Sequence, residues 1–121
     1  MASPTLVKSL QRKLKQVDIH LLRRQKLTRP VGEKTIRHVD CIGWYDGQRT
    51  IHIAVKGHAR AEDVISTLVH ELLHAIGYDE KAIEDGLEQV AMRSRAVREA
   101  VAMRVLTQVL PLNRPPDMPP C

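Results

Sequence analysis

The stretch Thr67-Leu68-Val69-His70-Glu71-Leu72-Leu73-His74-Ala75-Ile76 constrains this chain more than any other, and Glu71 is its only charged residue. Leu68, Val69, Leu72, Leu73 and Ile76 give a helix with a wide apolar surface, so it must be buried on most sides. On that helix His70 and His74 lie one turn apart on a single face. Two imidazoles so placed can bind one metal ion at about 2.0–2.1 Å. Glu71 lies about 100° further round. From there its carboxylate can take a proton from a metal-bound water without being a ligand. Two histidines and a carboxylate on a buried helix need a partner to offset their desolvation. A metal ion supplies one. The plainer alternative is a pair of hydrogen-bonded core histidines beside a surface glutamate.

A catalytic zinc usually has three protein ligands and one position open to water. Gly77, three residues after His74, suits a helix end in the left-handed conformation. Beyond it, Asp79, Glu80, Glu84, Asp85 and Glu88 place five acids within ten positions. If Asp79 caps a second helix that forms a hairpin with the first, Glu84 falls level with His74. A second helix that begins at once favours Glu84 as third ligand over Glu80, which needs loop to fold back under the metal. Glu88, one turn on, is placed to hydrogen-bond a ligand histidine from behind. Asp79 and Asp85 suit the N-terminal turn of a helix, where the macrodipole favours negative charge.

The core Thr67 to Ile76, followed by acids from Glu80 to Glu88, resembles small zincin-type metallopeptidases of the kind encoded by phages and prophages. The resemblance covers about residues 35–95. Through the motif helix alone the chain is also similar to SprT-like and ImmA/IrrE-like minimal gluzincins. In gluzincins the third ligand is a Glu on the next helix, which corresponds to Glu84. In metzincins it is a His at the position held here by Glu80. The resemblance implies a zinc-dependent hydrolase of peptide bonds. Its metal site would be His70, His74 and Glu84 or Glu80, with Glu71 as general base. A second similarity, in Gly77-Tyr78-Asp79, is to YbeY-type metal ribonucleases. This chain departs from them with Glu71 in place of a Gly and Glu80 in place of the third His. A zinc-stabilised binding module without catalysis is the third alternative.

A chain of 121 residues, 43% hydrophobic, implies one globular domain with a modest core. With one Trp, two Tyr and no Phe, that core must be aliphatic. Cys41 and Cys121 make neither a disulfide framework nor a CxxC site, which fits a reducing cytoplasm. No apolar signal region opens the chain and no run of 18 apolar residues occurs, so neither secretion nor a membrane partner is expected. The net charge of +5 is unevenly placed. Residues 1–60 carry 13 Lys and Arg against 4 Asp and Glu, and residues 61–121 carry 6 against 10. The basic half offers a surface for nucleic acid or another acidic partner. Without interleaved aromatics it is equally a solvated face balancing the acidic half.

The pattern predicts an α+β, minimal zincin-like fold over residues 1–110. Leu6, Leu10 and Leu14 mark a helix over 5–16. Residues 17–22 read as a strand and Thr28 to Gly32 as a turn. Thr35–Tyr45 and Arg49–Val55 flank Asp46-Gly47 as a hairpin with a two-residue turn. This small antiparallel sheet, over about 35–55, packs on the HExxH helix, Ala61 to Gly77. Such a hairpin is the natural strand to bind a substrate backbone by strand addition. Trp44 is either a substrate contact or part of the core. A second long helix follows from Glu80 to Leu110, broken near Ser94, with Val97, Val101, Val105, Leu106 and Leu110 on its apolar face. Residues 111–121, with five prolines, read as a flexible tail. Tyr45, His52, His58 and Tyr78 are the candidate donors to an oxyanion.

Overall fold

The computed structural model describes residues 3–31 and 37–112, and only the backbone of residues 30, 31, 37–40 and 109–112. The first helix, α1 (Pro4–Gln16), is capped by the Ser3 hydroxyl, which accepts the Leu6 N–H at 3.1 Å. Its leucines repeat every four residues, so Leu6, Leu10 and Leu14 form one buried stripe while Lys8, Arg12 and Lys15 stay exposed. The chain then turns extended at Val17 and enters β1 (Asp18–Leu22).

Strands β4 (Gly43–Tyr45) and β5 (Thr50–Ala54) complete a three-stranded sheet in the order β1-β5-β4. β5 runs parallel to β1 and antiparallel to β4. The sheet is therefore mixed: β4 and β5 pair antiparallel as expected of the hairpin, and β1 adds a parallel strand beside β5. Period-2 alternation places Ile51 and Ile53 on one face, but it is the same in either orientation and cannot report strand direction.

The expected strand over residues 35–45 is also divided. Residues 37–41 form β3 (Arg37–Cys41), which pairs with β2 (Leu27–Val31) as a separate antiparallel ribbon. Thr35 and Ile36 lie outside the described residues. The expected turn at Thr28 to Gly32 is thus strand as far as Val31. Pro30 cannot donate to a ladder, and a two-stranded ribbon tolerates it because each strand has a free edge. The Asp46-Gly47 turn is likewise wider than two residues, since Tyr45 pairs with Ile51. The Asp46 carboxylate organises this loop by accepting the amides of Gln48, Arg49 and Thr50 at 2.8, 2.9 and 3.0 Å. Gly47 takes φ 82° within it.

After a 3₁₀ turn (Val55–Gly57) comes the motif helix, α2 (Ala61–Ala75). It contacts α1, β4 and β5, and two later helices, Glu88–Met92 and Arg95–Leu112. That placement explains its composition: Leu68, Val69, Leu72 and Leu73 are all fully buried. Helices α3 (Glu80–Ala82) and α4 (Glu88–Met92) are joined by a wide turn, Ile83–Leu87. The break near Ser94 is present. Its hydroxyl accepts the Val97 N–H at 3.3 Å and starts α5 (Arg95–Leu112). Val97 and Val101 are buried, but Leu106 is half exposed and leaves the predicted apolar face. α5 includes Pro111 and Leu112, and the remainder of the predicted tail lies outside the described residues.

The core is aliphatic and joins α1, the inner face of the sheet, α2 and α5. Polar bonds fix α5 across it. The Arg104 guanidinium donates to the carbonyls of Leu14 and Val17 at 2.8 and 3.0 Å, closing the open end of α1. Gln108 donates to the Ile19 carbonyl at 2.7 Å. Among the described residues, no helix is long and apolar enough to cross a membrane.

Candidate metal centre

Three sides of α2 are committed to the core, and the fourth carries Thr67, His70, Glu71 and His74 at helical spacing i, i+3, i+4 and i+7. Strand β4 lies against this face. A Cβ on Gly43 would fall 2.6 Å from the Thr67 methyl, so only glycine lets the strand approach so closely. Two bonds fix the register of β4. Ala54 N–H donates to the Ile42 carbonyl at 2.9 Å, and Asp46 N–H to the Thr50 carbonyl at 3.0 Å. Gly43 and Tyr45 therefore turn their amides away from β5. The Tyr45 N–H faces the Glu71 carboxylate and helps to stabilise its charged form.

After α2, Gly77 at φ 111° reverses the chain. Asp79 accepts the Ala82 N–H at 2.8 Å and starts α3, so Glu80 is its first residue. The reversal is tight enough for Glu80 to face the histidines. One carboxylate oxygen lies 3.0 Å from His70 Nε2, and the other 2.7 Å from His74 Nε2. The opposite ring nitrogens are held from behind. His70 Nδ1 lies 3.2 Å from a Glu88 oxygen, and His74 Nδ1 lies 3.0 Å from the Tyr78 carbonyl. A carbonyl can only accept, so His74 Nδ1 carries a proton, and the Nε2 lone pair would become available to an ion that takes the place of the Nε2–Glu80 hydrogen bond. The Glu88 carboxylate imposes the same tautomer on His70.

His70, His74 and Glu80 thus offer three ligand atoms within 4.8 Å of one another. Tetrahedral zinc ligands at about 2.0–2.1 Å stand about 3.3 Å apart, so small side-chain movements admit an ion. Two imidazoles and one carboxylate are also the donor set of several catalytic zinc sites, with a fourth position left for water. The residues present fit the metal. Glu84 is not in the group; it is exposed on the short segment beyond α3. The expected regular hairpin, which favoured Glu84, is interrupted by the wide turn after Ala82. Asp79 is the helix cap, and Asp85 is exposed.

Glu71 is the one buried charged residue among those described. Burial raises its pKa, against the pull of His70, His74 and the Tyr45 amide, while the charge of Glu80 raises it further. For Glu80, burial also pushes upward, but the hydrogen bond from His74 and the positive field of His70 outweigh it. Its pKa is lowered. The two acids are thus driven apart, one toward carrying a proton and the other toward remaining a carboxylate.

Two hollows flank β4 and meet at Cys41, Gly43, His70 and Glu71. One, about 640 Å³, runs past His58, Asp63, Thr67 and Glu88. The other, about 800 Å³, runs past Arg29, Trp44, Tyr45, His74 and Glu80. The candidate metal centre therefore lies midway along a cleft whose wall is a strand edge.

The candidate oxyanion donors are differently placed. His58 has both ring nitrogens engaged, with the Ala54 carbonyl at 2.8 Å and the Thr67 hydroxyl at 2.7 Å. The Tyr45 hydroxyl donates to the Gln48 carbonyl, and Tyr78 contributes its backbone carbonyl while its side chain is exposed. His52 lies on the outer face of the sheet, stacked on Trp44 at 4.8 Å and edge-on to His20 at 5.2 Å. Burial and the charge of His20 lower its pKa, with Asp46 opposing. Sequence reasoning missed Gly43, Thr67 and Arg29 as parts of the cleft. For Gly43 a signal existed: a glycine within a strand pattern marks a close approach of backbone.

No known protein-family model matches the chain, and neither a curated protein nor a solved structure is significantly similar to it. The reading of the site rests on its own geometry.

Proposed function

We propose that the protein is a zinc-dependent metallopeptidase with a minimal zincin-like fold, in which His70, His74 and Glu80 hold the ion and Glu71 is the general base. The observation that carries this reading is the pairing of two features on one helix face. A His, His, Glu donor set converges through Nε2 atoms whose opposite nitrogens are already bonded. A buried glutamate beside it has its pKa raised.

A bound zinc ion supplies Lewis acidity and brings the pKa of a water toward 7. The chain's own residues do the rest. Glu71 accepts the proton of the attacking water on its carboxylate and delivers it to the leaving amine. The Tyr45 N–H faces that carboxylate and helps to stabilise its charged form. Glu88 and the Tyr78 carbonyl hold the two imidazoles in orientation. The outward amides of Gly43 and Tyr45 give an extended peptide a strand edge to pair with. Arg29, in the larger hollow, suits a substrate with an acidic side chain or terminal carboxylate at that end.

Zinc loading followed by cleavage of a peptide library, with and without a hydroxamate, tests the reading. Cleavage abolished by the hydroxamate supports it. RNA cleavage instead would favour a ribonuclease. One tightly bound zinc with no hydrolysis of any substrate would favour a binding module.

A further inference from the structure

Helices α3 and α4 follow one another across a single kink. The wide turn between them is closed by the Glu88 N–H donating to the Ile83 carbonyl, and within it Gly86 has φ 131° and ψ −6°. A bond spanning five residues means that the turn holds one residue more than an α-helical turn. The extra residue changes which side chains share a face. In an unbroken α-helix the eight steps from Glu80 to Glu88 rotate about 800°, leaving the two about 80° apart. Here Gly86 leaves the helical conformation, so the two short helices do not share one axis, and the kink sets where Glu88 lies relative to Glu80. Both carboxylates then reach one imidazole. Glu80 lies 3.0 Å from His70 Nε2, and Glu88 lies 3.2 Å from its Nδ1.

We propose that Gly86 is a positioning residue for the metal centre: its left-handed conformation brings Glu88 onto His70 Nδ1 while Glu80 faces Nε2, and so sets the zinc affinity of the site. This rests on the metal-binding part of the reading above and not on peptide hydrolysis. A carboxylate on the rear nitrogen fixes the ring and strengthens the imidazole as a ligand. The φ of 131° is open to glycine and strongly disfavoured for any residue with a Cβ. A Cβ at Gly86 would meet no atom within 4 Å. Gly86→Ala therefore introduces no clash, and its effect must come through the backbone.

The test is zinc affinity of the full chain by chelator competition, for the parent, Gly86→Ala, Glu88→Ala and the double variant, with circular dichroism to check folding. Each single change is expected to weaken zinc binding by about 10- to 100-fold, the usual cost of losing a partner behind a ligand. The double variant should be no weaker than the weaker single one, because both act through one contact. In the zinc-loaded parent, proton NMR should show a protected His70 Nδ1–H signal that Gly86→Ala loses. A folded Gly86→Ala with parental affinity, or losses that multiply in the double variant, would overturn the proposal. Should Gly86→Ala not fold, Glu88→Ala decides alone: unchanged affinity overturns the proposal, and a tenfold loss sustains it. A parent that takes up no zinc ends the metal reading and this proposal together. Zinc binding with these losses and no peptide cleavage ends the peptidase reading alone.

Discussion

Helix α2 and the segment from Glu80 to Met92 each supply half of one site, and they are built in opposite ways. α2 is continuous, and Val64, Leu68, Val69, Leu72 and Leu73 lock it into the core. The second segment is short, kinked at Gly86, and buries only Ile83 and Ala91. The imidazoles and Glu71 sit on the element that cannot shift without disturbing the core. The carboxylates that face them, Glu80 and Glu88, sit on the element that can bend. On the proposed reading, such a division would fix the base and the histidines in advance and leave the closing ligand to adjust to an ion.

The sharpest way to break that contrast is at Glu71. Glu71→Gln should keep zinc and reduce turnover by about 10²- to 10⁴-fold, the range for losing a general base. Metal content and kcat measured on one preparation check both halves. Retained turnover would remove the mechanistic distinction between the two segments. Leu72→Ala attacks the rigidity itself. It opens a cavity at a fully buried position and should cost about 2–5 kcal/mol in urea unfolding. Glu84→Ala, on the exposed side of the second segment, should stay within about 0.5 kcal/mol of the parent.

The carboxylates can be compared with each other. Glu80→Gln should weaken zinc by more than the roughly 10- to 100-fold typical of an outer contact, whereas Glu84→Gln should leave it unchanged. The reverse order would restore the hairpin geometry in which Glu84 is the ligand. Amide hydrogen exchange gives the mildest test. Protection along α2 should approach that of global unfolding, while amides from Glu80 to Leu87 should exchange through local opening. Equal protection would mean that the kink is as firmly held as the core.

This contrast also explains what was legible in the sequence. α1 and α2 could be read because each buries a face, and Leu6, Leu10, Leu14 and the apolar run around His70 print the helical period directly. The break at Ser94 was readable from a capping residue. The division into an α+β fold was therefore visible in outline. Strand pairing was not, because Ile51 and Ile53 alternate identically whether β5 runs parallel to β1 or against it. The ribbon of β2 and β3 was hidden by Pro30, which reads locally as a turn. The choice between Glu80 and Glu84 depended on the angle at Gly77 and the wide turn before Glu88. Those are backbone conformations, and side-chain periodicity carries no record of them. Glu88 behind His70 was foreseeable from chemistry alone, but the kink that delivers it was not.

The hairpin loop offers a third element against which to sharpen the contrast. Burial alone would raise the pKa of Asp46, but the amides of Gln48, Thr50 and Arg49 and the charge of His52 outweigh it, and the pKa is lowered. The folded chain thus binds this proton less readily than the unfolded chain. The stability it contributes is complete above the usual carboxylate range and is lost as pH falls through the folded value. Asp46→Asn should lower stability at neutral pH and flatten the acid limb of a stability-versus-pH curve measured by urea unfolding. An unchanged acid limb would show that the loop amides do not hold the carboxylate. The same variant bears on the site. The Asp46 carboxylate holds the loop that joins β4 to β5, and the β4 amide at Tyr45 faces Glu71. If Asp46→Asn lowers turnover without lowering zinc affinity, the base depends on the strand edge as well as on the rigidity of α2. If turnover is unaffected, the buried helix positions Glu71 unaided.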